Sequence, residues 1–287
     1  MDQKIIDLYD EYTHGGMSRR SFMERLVQLV GGSAAALALL PVLENNYALA
    51  QKIAENDDRL AIARVEYEAG GAKISGYLAR LKGGQKRPGV IVIHENRGLN
   101  PHIQDVARRL AVDGFLALAP DMLSPLGGTP SDETKATQMI GSLNADETVA
   151  RLAAAVPFLA RRAESTGKVG VVGFCWGGGY VNRLAAAGTS LNAGVAYYGA
   201  QLPAAEVPKI SAPLVLHYAG LDQRINAGIP DYEAALKSNN KVYELYMYEG
   251  ANHAFNNDTN AARYNKEAAD LAWSRTIKFL KKYLASE

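Results

Sequence analysis

The sequence predicts an α/β protein: an open, mostly parallel β-sheet with helices on both faces. Three observations carry that expectation. Apolar, β-branched runs recur along the chain, helix-period segments separate them from residue 88 onward, and Gly-, Pro- and Asn-bearing turns fall between the two. The 287 residues are 48% hydrophobic, enough to bury a sizeable core and too apolar for a disordered chain.

Taken in order, the first segment stands apart from the rest. Ser18-Arg19-Arg20-Ser21-Phe22-Met23 precedes a weakly apolar stretch over 26–43, with Pro41 near its end and Ala48 and Ala50 beyond it. That order of parts fits a bacterial twin-arginine export signal with small residues at a signal-peptidase site. Residues 1–50 are therefore expected to be an export segment, handled by the twin-arginine machinery, and residues 51–287 a single periplasmic domain. An acidic leader (Asp2, Asp7, Asp10, Glu11) favours the alternative, a helix docked on a cytoplasmic protein. Gly31, Gly32 and Ser33 interrupt the apolar stretch, so no stable membrane insertion is expected.

The body opens with strands over 64–68 and 73–81, joined by Gly70-Gly71 as a hairpin, which gives the sheet an antiparallel start. The run Pro88-Gly89-Val90-Ile91-Val92-Ile93-His94 reads as a central parallel strand. Then follow a helix over 101–113, a strand over 115–120, a helix over 144–164, a strand over 168–174, a helix over 176–187 and a strand over 193–198. A strand over 213–218, a helix over 230–237, a strand over 241–248 and a last helix over roughly 261–283 complete the alternation. Residues 121–144, rich in Gly, Pro, Ser and Thr, are an irregular excursion after a strand end.

Composition removes several functions. Lys and Arg total 31 against 30 Asp and Glu, a net charge of +1, so no field draws the chain to nucleic acid. The single cysteine, Cys175, allows neither an intrachain disulfide nor a multi-cysteine metal site. No G-x-G-x-x-G follows the first parallel strand and no H-E-x-x-H occurs, so neither a dinucleotide cofactor nor a metal is expected. The expected partner is a small molecule.

Chemistry concentrates at Gly173-Phe174-Cys175-Trp176-Gly177-Gly178, between a strand and a helix start. This is the form of a nucleophile elbow with Cys in the usual Ser place: the nucleophile is held in a strained conformation, and glycines two residues either side avoid clashes. A thiol there also meets the helix N-terminus, which favours thiolate. An α/β-hydrolase elbow is followed in the chain by an acid and then a histidine. Asp222 and His253 follow in that order, each in a loop after a strand end. Of the other histidines, His14 lies in the leader, His102 in a helix start, His217 inside a strand, and His94 precedes Glu95, which leaves His253 as the base.

With those motifs and the segment His94-Glu95-Asn96-Arg97-Gly98-Leu99-Asn100, the chain resembles the dienelactone hydrolase (carboxymethylenebutenolidase-like) family of the α/β-hydrolase superfamily over about residues 60–285. The resemblance implies that Glu95 hydrogen-bonds the resting thiol and exchanges with His253 when substrate arrives. It also implies an oxyanion hole from the backbone N–H groups of Trp176 and Asn96. The expected reaction is hydrolysis of an ester or lactone: Cys175 forms an acyl-thioester, His253 moves protons, Asp222 orients the imidazole and water completes the cycle.

One part of the family pattern is missing. Two arginines expected to hold a substrate carboxylate have no counterpart in Asp121-Met122-Leu123-Ser124-Pro125 or in His253-Ala254-Phe255-Asn256-Asn257. Arg97 and Arg224 are near enough in sequence to supply a cation instead. Two other functions fit the same residues: a carboxylesterase or thioesterase for neutral substrates, and a binding protein that kept the fold without catalysis.

Overall fold

A computed structural model describes residues 1–49 and 51–285. Ala50, half of the expected signal-peptidase site, lies outside the described residues. Eight strands form one sheet: β1 (Leu60–Ala69), β2 (Ala72–Leu81), β3 (Arg87–Ile93), β4 (Leu116–Pro120), β5 (Ser165–Phe174), β6 (Ala193–Tyr197), β7 (Leu214–Ala219) and β8 (Tyr243–Tyr248). Their order is β1-β2-β4-β3-β5-β6-β7-β8. β1 with β2 and β2 with β4 pair antiparallel, and every other neighbouring pair is parallel. The hairpin falls where expected: Ala69 pairs with Ala72 across Gly70 and Gly71. Both glycines have positive φ (60° and 76°), as a two-residue turn of this twist demands.

The central strands are buried on both faces. In β3, Val90 and Val92 enter one core while Ile91 and Ile93 enter the other. The first core lies under α4 (Pro101–Val112) and α10 (Lys266–Leu284). The second lies under α6 (Ala145–Ala160), α7 (Trp176–Ala185) and α9 (Ile229–Ser238). Because the chain steps from β3 outward to β4 and then back across to β5, the C-terminal ends of β3 and β5 flank a switch point, where sheets of this kind place their sites.

Several elements differ from the sequence reading. The excursion after β4 contains a helix, α5 (Glu133–Gly141), capped by Asp132, whose side chain accepts from the Lys135 N–H. A single turn, α8 (Gln223–Asn226), follows β7. The last helix begins at Lys266 instead of near 261, because Asn260 and Asn265 each cap a local N–H and hold the preceding residues in turns.

The N-terminal segment is helical. Residues 3–43 form α1 (Gln3–Thr13), α2 (Arg19–Val30) and α3 (Ser33–Leu43), folded against the body. Asp2 caps α1, Ser18 caps α2 through the Ser21 N–H, and Gly31 ends α2 with φ of 80°. The chain bends by 113° between α2 and α3, and no single helix among the described residues is long and apolar enough to cross a membrane. Tyr9, Phe22, Leu26, Ala36 and Leu43 bury one another in a small separate core.

Candidate active site

At the end of β5 the chain turns sharply into α7. Cys175 occupies the turn with φ 54° and ψ −115°, a left-handed strained conformation for a non-glycine residue. A Cβ at Gly173 would overlap the backbone of Gly177, and one at Gly177 would overlap the carbonyls of Ile93 and His94. Only glycine lets β3, β5 and α7 approach this closely, so the sequence pattern and the strain have one cause. The Cys175 N–H donates to the Tyr197 carbonyl at 3.0 Å, which ties the turn to β6.

Beyond β7, Asp222 does two things. Its Oδ1 accepts from the Ile225 N–H at 3.2 Å and starts α8, while its Oδ2 accepts from His253 Nδ1 at 2.5 Å. That bond fixes the ring so that Nε2 is free, and Nε2 is buried with no hydrogen-bond partner among the described residues. A ring nitrogen of His253 and the sulfur of Cys175 lie within 4.8 Å of each other. The expected nucleophile, base and acid thus come together at the strand ends, as does the strand-end loop that carries Glu95 and Asn96.

Glu95 departs from its expected place. It is buried, but its Oε2 accepts from Asn257 Nδ2 at 2.8 Å and its Oε1 has no hydrogen-bond partner among the described residues. The partner of the Cys175 thiol is instead His14, whose Nε2 lies 3.2 Å from Sγ. The leader histidine that the sequence reading set aside is therefore in the site. Its ring meets that of His253 edge to face at 4.7 Å, and its Nδ1 donates to the Asp10 carbonyl at 2.7 Å. The only sequence trace of this is Asp10 and His14 one helical turn apart, a spacing too common to point anywhere.

The electrostatics form a charge pair. Burial pushes the Cys175 thiol up, but the imidazoles of His14 and His253 outweigh it and bring it down to about 6. Burial opposes charge on His253, yet Asp10, Cys175 and Asp222 raise its pKa well above the ordinary imidazole range. Asp222 is lowered: burial pushes it up, and His253 more than offsets that. The resting state these directions favour is a thiolate beside an imidazolium.

The other histidines are structural. His94 accepts from the Met122 N–H, stacks on Trp176 and is lowered by burial. His217 lies in β7 between Tyr248 and Thr276, with its pKa lowered by burial to about 3. His102 is buried in α4, with Nδ1 3.2 Å from Asp258 Oδ1.

A cavity of about 440 Å³ opens on the thiol. Trp176, Tyr180, Tyr198, Ile140 and Ile225 give it an apolar body, and Arg183 and Arg224 are its cations. Trp176 begins α7, so its N–H has no helical acceptor, and Asn96 lines the same cavity from the loop after β3. Arg97 is elsewhere: it is buried, paired with Glu133 at 3.1 Å and bonded to the Tyr9 hydroxyl. Arg224 lines the cavity, and its exposed guanidinium lies 3.5 Å from Asp10. Arg183, which the sequence reading missed, faces the cavity from α7 and lies over the Tyr180 ring.

Known proteins resemble this chain over most of its length. The dienelactone hydrolase family profile matches residues 74–284, and a second profile, described as YqhI-like, matches residues 1–30. A carboxymethylenebutenolidase candidate of Saccharolobus solfataricus is 34% identical over 254 residues, covering 75% of this chain and 96% of its own. Among solved structures, a dienelactone hydrolase candidate from Klebsiella pneumoniae superimposes with a TM-score of 0.71 at 27% identity, covering 78% of this chain and 99% of its own. A dienelactone hydrolase-like promiscuous phosphotriesterase from metagenomic libraries gives 0.71 at 25%, covering 79% and 100%. With the profile spanning most of the chain and an elbow, an acid and a histidine gathered at the sheet's C-terminal edge, this chain belongs to the dienelactone hydrolase family of α/β-hydrolases.

Proposed function

We propose that this hydrolase cleaves an ester or lactone bond through Cys175, His253 and Asp222, by way of an acyl-thioester. The observation that carries the reading is the strained elbow: a cysteine held at φ 54° between two glycines that tolerate no Cβ, with its sulfur beside an imidazole bonded to a buried carboxylate. Strain of this kind is kept where it positions a reacting group.

The thiolate attacks the carbonyl carbon, and the oxygen that gains charge is received by the backbone N–H groups of Trp176 and Asn96. His253 protonates the leaving oxygen, then takes a proton from water as water attacks the thioester, and sulfur leaves as thiolate. Asp222 keeps Nδ1 protonated so that Nε2 faces the reaction. The mainly apolar cavity suits a neutral or amphiphilic acyl group, while Arg183 and Arg224 offer a carboxylate two cations.

The test is a panel of p-nitrophenyl acetate, a neutral lactone and a carboxylated dienelactone, given to wild type and to Cys175→Ala. Turnover lost in the variant supports the reading, and turnover retained ends it. A binding protein with this fold turns over none of the three.

For residues 1–50 we propose retention as a docked arm in place of removal as an export segment, because α1 to α3 pack on the body and His14 reaches the thiol. Protein recovered from its host with a full-length N-terminus agrees. Protein beginning near Gln51 restores the periplasmic export reading.

A further inference from the structure

The domain that the family profile covers starts at residue 74, yet a side chain from residue 14 lies on the nucleophile. Its position is not that of a loose tail. Asp10 pairs with Arg263 at 3.3 Å and with Arg224 at 3.5 Å. Gln3 Nε2 donates to Asn252 Oδ1 beside His253, and Asn96 Nδ2 donates to the Thr13 carbonyl at 2.7 Å. Arg97 donates to the Tyr9 hydroxyl, and at the far end the Asn46 N–H donates to the Thr259 carbonyl. The body side chains that seat the arm thus include Arg224 and Asn96, both in the wall of the cavity.

We propose that His14 is a catalytic residue of this chain: a second imidazole, delivered by the N-terminal arm, that takes the Cys175 proton and holds the resting thiolate where Glu95 was expected to act. The step balances. Asp10 O accepts the Nδ1 hydrogen, which leaves the Nε2 lone pair facing sulfur. The S–H bond breaks, its electron pair stays on sulfur, and an N–H bond forms at Nε2. His14 then keeps that proton through the cycle, while His253 gives one to the leaving oxygen and takes one from water. Two imidazoles divide work that one must otherwise do in turn.

The charged and titratable groups around this pair come from every neighbouring element: Asp10 of α1, Arg224 of α8, and His253 and Arg263 of the segment after β8. Tyr198 after β6, Glu95 after β3, Asp222 after β7 and Arg183 of α7 complete them, and burial first, then the Glu95 carboxylate and the nearby thiolate, raises Tyr198 well above the usual phenol range. Tyr198 stays protonated, and Asp10 is held far below the usual carboxylate range although burial pushes it up, because His253, His14 and the two arginines outweigh it.

The inference rests on the reading of Cys175 as nucleophile, but its test reads the thiol directly. Full-length wild type, His14→Ala and His14→Gln are alkylated with iodoacetamide across pH 4.5 to 9.5 (roughly the span of free and perturbed thiols). Wild type is expected to inflect at about pH 6. His14→Ala is expected to inflect about one unit or more higher, so that its rate at pH 6 falls on the order of fivefold as the thiolate fraction drops from a half to about a tenth. Added imidazole should restore part of the rate in His14→Ala. Glu11→Gln, on the exposed side of the same helix, should change nothing. If both His14 variants keep the wild-type inflection with a native near-ultraviolet circular dichroism spectrum, the proposal is wrong; if His14→Ala misfolds, His14→Gln decides alone. Ester turnover retained in Cys175→Ala would instead defeat the proposed function and leave a shifted alkylation profile standing.

Discussion

Residues 60–285 hold Cys175, Asp222 and His253 between two extensive apolar cores, one on each face of the sheet. Residues 1–49 hold His14 through a small core of seven buried side chains and a set of polar ties. The body's geometry follows from hydrophobic periodicity and from glycines that admit no alternative. The arm's geometry follows from where an amphipathic helix happens to find partners. Both regions end at one atom, the Cys175 sulfur, so the site combines a part set by the packing of the sheet with a part brought by the arm.

The largest effect should come from the body's own chemistry. Asp222→Asn removes the acceptor that fixes the His253 tautomer, and turnover should fall by about 10³-fold or more with the elbow intact; a loss under tenfold would mean that Asp222 only caps α8. Next is Gly173→Ala, whose methyl would enter the Gly177 backbone. It should cost about 3 kcal/mol or more in urea unfolding, because backbone cannot swing aside as a side chain can.

Leu26→Ala tests the arm in the same way. Leu26 is fully buried within the arm's core, and the truncation should cost about 2–4 kcal/mol of arm packing. The main unfolding transition of the body should stay where it is, while the alkylation inflection of Cys175 moves up as in His14→Ala. A single transition shifted as a whole would show that arm and body fold as one unit.

A smaller effect separates pH regimes. With the thiol brought down to about 6, kcat/KM should hold its value above that pH and fall below it, because protonation removes the nucleophile. An acid limb near the ordinary thiol range would remove the charge pair. The smallest effect belongs to Glu95→Gln: its recorded bond is to Asn257, so the alkylation profile should move by less than about 0.3 unit. A larger shift would return Glu95 to the role its loop suggested.

The contrast also explains what could be read in advance. The parallel strands were legible because burial on both faces writes unbroken runs such as Val90-Ile91-Val92-Ile93. The elbow was legible because its strain demands Gly173 and Gly177 at fixed offsets. Asp222 and His253 followed from chain order. His14 could not be found, since one histidine at the end of an amphipathic helix carries no periodic or steric mark of the sulfur it meets 161 residues later. Glu95 was placed on the right loop, but its hydrogen bond is set by Asn257, a partner no spacing rule names. Arg183 was passed over because a basic residue in a helix is ordinarily solvated, and its face is fixed only once α7 is seated.

The central claim, a covalent intermediate on the one cysteine, is tested most directly by trapping it. Wild type mixed with p-nitrophenyl acetate, quenched in acid within its first turnovers and digested, should carry an acetyl group on the peptide containing Cys175, with a burst of p-nitrophenolate of about one equivalent. An acetyl group on another residue, or turnover with no burst and an unmodified Cys175, would contradict it.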